Sequence, residues 1–135
     1  MTEGAGASTN GRPFRVIVAD DSEVNLLVLT KMLARLGCAT DRAVNGVEAV
    51  ELSERKAPDM ILLDLNMPEM NGIEAATAIR ARHPRGTLPI VAVTAHPESR
   101  HQTAYARAEF DGLIAKPVNM ATLERIVGSH RRKRA

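Results

Sequence analysis

At 135 residues, with 44% hydrophobic and 25% charged side chains, the chain has the make-up of one globular domain, able to bury about two thirds of its unfolded surface. No apolar run approaches the roughly 18 residues of a membrane span and no basic-then-apolar leader opens the chain, so a reducing, cytoplasmic setting off the membrane is the expectation. Arg131, Arg132, Lys133 and Arg134 account for the net charge of +2; the other 14 basic residues face 16 acidic ones, and aromatic content is 2%, which excludes a basic, ring-bearing nucleic-acid surface.

Residues 1–13 are rich in Gly, Ala, Ser, Thr and Asn and read as a disordered leader. "FRVIVAD" follows as a first strand. Asp21 or Ser22 can cap a helix over 23–36, with Gly37 to end it. The spacing predicts a short second strand, "CATDRAV", then a helix, "GVEAVELSERKA", capped by Asn45. "MILLDL" is the third strand, "GIEAATAIRARH" the third helix, and "PIVAVTA" the fourth strand. "ESRHQTAYARA" reads as one fourth helix, "GLIAK" as a fifth strand and "MATLERIVG" as the last helix. The ordered domain is expected over 14–128, with a solvated basic tail over 129–135. Cys38, the single cysteine, reads as a small core residue.

Five apolar strands alternating with five helices specify an α/β fold, a parallel sheet covered on both faces. In such sheets ligands bind beyond the carboxyl ends of the strands. Those ends carry Asp20 and Asp21 after the first strand, Asp64 on the third, Thr94 on the fourth, and Lys116-Pro117 on the fifth. Three clustered carboxylates repel one another, and one lysine balances only one of them. An all-oxygen site of this kind suits magnesium, or manganese, held by Asp21 and Asp64 with Asp20 in support. An exposed carboxylate beside a metal and a lysine also suits phosphoryl capture, with Asp64 as nucleophile and Thr94 donating to a phosphoryl oxygen.

Asp20-Asp21, "LLDLNMPEMNG", "VAVTA" and "AKPV" together resemble a response-regulator receiver domain of two-component signalling, over Phe14 to about Val127. The resemblance implies a doubly wound, flavodoxin-like sheet of order 2-1-3-4-5. It implies Asp64 as phosphoacceptor, and a metal site of Asp20, Asp21, Asp64 and the Asn66 backbone carbonyl. Thr94 becomes the switch hydroxyl and Lys116 the phosphate-sensing lysine before a cis bond to Pro117. Asn66 and His96 match positions that tune dephosphorylation, and small Ala95 leaves the phosphate accessible. Leu113 stands where the family carries an aromatic switch residue, so output through that position departs from the usual pattern.

The resemblance further implies a histidine kinase or histidine phosphotransfer protein as donor, and a downstream protein that the sequence does not identify. Phosphorylation-dependent homodimerisation is a further implied behaviour. With no output domain expected, the reading is a phosphorelay receiver rather than an enzyme of turnover; the alternatives are a receiver excised from a hybrid kinase and a phosphorylation-independent pseudo-receiver. An aspartate-nucleophile phosphatase would need an acid two residues past Asp64, where Asn66 stands. One further expectation comes from periodicity alone. At 100° per residue Asn25, Leu29, Met32, Leu33 and Leu36 share the inward face of the first helix, which turns Val24, Leu27 and Val28 outward as a docking surface for a partner helix.

Overall fold

The computed structural model describes residues 12–134. Residues 1–11 of the expected leader lie outside the described residues. Arg12 belongs to the domain, since its guanidinium donates to Asp59 at 2.8 and 3.0 Å.

Five strands, β1 (Arg15–Ala19), β2 (Ala39–Ala43), β3 (Met60–Asp64), β4 (Ile90–Thr94) and β5 (Gly112–Ala115), form one parallel sheet of order β2-β1-β3-β4-β5. The helices are α1 (Glu23–Arg35), α2 (Gly46–Arg55), α3 (Gly72–Arg80), α4 (Thr103–Ala108) and α5 (Met120–Arg134). The doubly wound fold expected from the alternation is therefore present, and strand periodicity explains how it is held. Ile17, Ile61, Leu63 and Ala92 enter one core with side chains of α2 and α3. Val16, Val18, Met60, Leu62, Val91 and Val93 enter the other, with Leu26, Leu29 and Leu33 of α1 and Leu123 and Val127 of α5. Successive residues of one strand face opposite layers, so the central strands are apolar without a break.

Local signals set the helix starts. The Ser22 hydroxyl accepts the Asn25 N–H at 3.2 Å, and Asn45 accepts that of Glu48 at 2.8 Å. Asn71 and Glu74 form a reciprocal capping box on α3. Gly37 ends α1 at φ 81°, the left-handed conformation that glycine adopts without strain.

Three expectations need correction. The segment read as one fourth helix is broken: Pro97–His101 is a 3-10 turn that buries no side chain, and α4 begins only at Thr103. Without an apolar face to dock, the first half has nothing to hold it helical. The inward face of α1 also includes Leu26, which is buried with Leu29 and Leu33, while Met32 and Leu36 are partly buried and pack against the same core. Finally, α5 continues to Arg134, through most of the span expected to be a solvated tail. Arg131 explains part of that. Its guanidinium donates to the Leu36 carbonyl at 2.8 Å and the Cys38 sulfur at 3.1 Å, and stands 5.5 Å from the Phe14 ring centroid.

Candidate functional site at the carboxyl edge of the sheet

Parallel strands end together, so β1, β3, β4 and β5 deliver Asp20, Asp64, Thr94 and Lys116 to one edge. Asp20, Asp21 and Asp64 offer carboxylate oxygens that all lie within 4.8 Å of one another. Asp20 and Asp64 are buried, and Asp21 is exposed. The Lys116 ammonium reaches across from β5 and donates to Asp20 Oδ2 and to Asp64 Oδ2, each at 3.1 Å.

Main-chain donors fix the remaining oxygens. Asp20 Oδ1 accepts the Ser22 N–H at 2.9 Å and Asp64 Oδ1 accepts the Asn66 N–H at 3.0 Å. Thr94 is fully buried, and its hydroxyl oxygen accepts the His96 N–H at 2.9 Å. The Lys116–Pro117 peptide is cis, as the resemblance implied. Close packing holds the loop after β3. The Gly46 N–H donates to the Met70 carbonyl at 3.0 Å and the Gly72 N–H to that of Leu65 at 3.1 Å. A Cβ at Gly72 would overlap the Asp64 carbonyl, so only glycine lets α3 start so near the strand end. Met67 is buried in the core.

Burial pushes the Asp64 pKa up, and Asp20 adds to it; the Asn66 N–H and Lys116 pull the other way without cancelling the effect. Burial alone would lower the Lys116 pKa, but its bonds to Asp64 and Asp20 outweigh that and raise it. The pair thus holds a firmly protonated lysine beside a carboxyl whose charge is incompletely compensated. Three carboxylates against one ammonium leave negative charge for a further cation. The all-oxygen donor set fits a hard divalent ion such as magnesium.

The other expected residues divide. Ala95 and His96 are exposed just beyond Thr94, with His96 Nδ1 3.6 Å from Glu98 Oε2. The Asn66 side chain is exposed beside Asp64. Leu113 is partly buried and packs with Tyr105 against the α2–α3 core. Val24, Leu27 and Val28 are 69%, 48% and 48% exposed, as expected of an outward face. Asn25 was legible only as an inward residue of α1; its amide donates to Asp20 Oδ2 at 3.3 Å.

Comparison with known proteins agrees with this geometry. Residues 16–128 match the response regulator receiver domain family. Hybrid signal transduction histidine kinase L of Dictyostelium discoideum is 34% identical over 84% of this chain, which spans only 7% of that protein. Polar-differentiation response regulator DivK of Brucella anthropi is 28% identical over 80% of this chain and 88% of its own length. The receiver domain of the sensor histidine kinase PA1611 from Pseudomonas aeruginosa, solved with magnesium in its active-site cleft, is 31% identical. It superposes with a TM-score of 0.77 over 87% of this chain and 97% of its own.

Proposed function

The chain belongs to the response-regulator receiver family, and we propose that its Asp64 accepts a phosphoryl group from a phosphohistidine on a histidine kinase or a histidine phosphotransfer protein. The observation that carries this reading is the fork of Lys116, 3.1 Å from the carboxylates of both Asp20 and Asp64. An Asp64 oxygen attacks phosphorus; the O–P bond forms as the P–N bond breaks, and the leaving imidazole keeps the electron pair and takes up a proton from solvent. Lys116 stays protonated throughout and offsets the charge gathering on the phosphoryl oxygens. Thr94 donates its hydroxyl to one of those oxygens. Asp20, Asp21, Asp64 and the Asn66 carbonyl would hold a magnesium or manganese ion, which when bound would supply compensating positive charge to carboxylates and phosphoryl group alike.

In this reading the donor's helix packs on Val24, Leu27 and Val28, and Ala95 leaves the phosphoryl group open to the partner and to water. Asn66 and His96 set the rate at which water removes it. The module acts once per chain, as a signal store rather than a catalyst of turnover. Output passes to a further protein through β5 and the surfaces beside it. Leu113 must act there by packing, since it has no hydroxyl to move. Incubation with magnesium and acetyl phosphate tests the proposal. Intact mass should show one added phosphoryl group on the wild type and none on Asp64→Asn. Equal labelling of the two would refute the assignment.

A further inference from the structure

On the face of α1 turned toward the sheet, leucines occupy the positions that pack and Asn25 stands among them as a polar exception. Asparagine is a poor helix former, and a half-buried amide needs partners to be tolerated there. Its main chain is satisfied by the Ser22 cap. Its side chain turns inward, to Asp20 Oδ2 at 3.3 Å. The same oxygen takes the Lys116 ammonium at 3.1 Å. The amide must present its NH2 to that carboxylate, because its oxygen would meet like charge. Asn25, Val28, Lys116 and Pro117 also line a cleft of about 420 Å³ between α1 and the loop after β5, so the amide borders open space on its far side.

From this geometry we propose that Asn25 is a positioning residue for the acidic site: it holds Asp20 in its ligating orientation independently of Lys116. The inference rests on the function proposed above. Lys116 serves two carboxylates at equal distance and must follow the charge that arrives on Asp64. When it moves, the amide of Asn25 is the side-chain donor that remains on Asp20 Oδ2. Ser22 secures only the other oxygen. Asp20 therefore stays fixed in both states of Asp64 because α1, not β5, supplies its second anchor.

The test follows acetyl-phosphate labelling as a function of magnesium concentration, in the wild type and in Asn25→Leu, which keeps much of the side-chain volume. Loss of positioning should raise the magnesium midpoint three- to tenfold and leave the limiting rate at saturating magnesium within twofold. A change that only loosened the fold would lower the limiting rate and leave the midpoint in place. An unchanged or lowered midpoint in the variant overturns the proposal. If the variant does not fold, the wild-type Asn25 side-chain amide is read by NMR during a magnesium titration. Its signals should move with the same midpoint as the Asp20 and Asp21 backbone, and signals that stay at solvent-exposed positions overturn it equally. Failure of the wild type to label at all would remove the underlying function instead.

Discussion

The two edges of the sheet use the same residue types in opposite ways. At the amino-terminal edge Asp59 and Asp111 each have their own arginine. Asp111, just before β5, takes Arg80 at 2.8 Å and the Ile90 N–H at 2.8 Å. Asp59, just before β3, takes Arg12 and the Arg15 N–H, each at 2.8 Å. At the carboxyl edge Asp20 and Asp64 share the one ammonium of Lys116, and the exposed carboxylate of Asp21 stands beside them. One edge is electrostatically closed and ties the layers together. The other is left short of positive charge, a condition that costs stability and creates a place for a metal ion and a phosphoryl group.

Breaking the closed edge should give the largest loss. Arg80 is buried, and besides Asp111 it donates to the carbonyls of Glu109, Leu88 and His83. Arg80→Met strips partners from all of these and should destabilise the domain by about 3 kcal/mol, because the carbonyls around the buried guanidinium lose their charged donor. Urea unfolding measures it, and the folded fraction should still label with acetyl phosphate. Gly72→Ala acts at the open edge through sterics. The added Cβ forces α3 away from the Asp64 carbonyl, with a loss of about 2 kcal/mol and, unlike Arg80→Met, a slower labelling rate at saturating magnesium.

Neutralising the open edge should do the reverse. Without divalent ions, Asp64→Asn should stabilise the domain by roughly 1 kcal/mol, the repulsion that one shared ammonium leaves uncancelled. The pH dependence fixes the sign. The Asp64 pKa lies above its usual 3.8 in the folded protein, so the native state binds the proton more tightly than the unfolded one. Wild-type stability from this group therefore rises as pH falls through the folded pKa, and the gain is complete below the unfolded value. The advantage of Asp64→Asn should shrink on acidification toward pH 4; an advantage that grew would contradict the assignment. The smallest effect on the fold belongs to Leu27→Asp, within about 0.5 kcal/mol because the side chain is exposed. It should slow transfer from a histidine phosphotransfer protein several-fold and leave acetyl-phosphate labelling unchanged.

The strands and the residues at their ends were legible in the sequence because both follow short rules. Apolar alternation by two places each strand between two layers, and parallel strands must end on one side. That carried Asp20, Asp21, Asp64, Thr94 and Lys116 to a common edge before any coordinates. What escaped depended on partners distant in the chain. The "RRKR" run reads as solvated charge until α5 is seen to carry Arg131 back over Phe14 and the end of α1. Arg80 looks like one more surface arginine at a helix end, and only the packing of α3 beside the loop before β5 buries it. Asn25 was legible only as one residue of the inward face of α1, and its reason, Asp20 on the preceding loop, is geometric. The break at Gln102 carries no proline or glycine signal; it reflects a stretch with nothing to pack against.

The central claim is that the carboxyl edge is a cation site formed jointly by Asp20, Asp21 and Asp64. Thermal unfolding with and without millimolar magnesium tests it most directly, since an ion that binds only the folded state raises Tm by mass action. The account predicts a rise of several degrees for the wild type, little or none for Asp21→Asn and Asp64→Asn, and an undiminished rise for Arg80→Met. An equal rise in the wild type and both aspartate variants would contradict it.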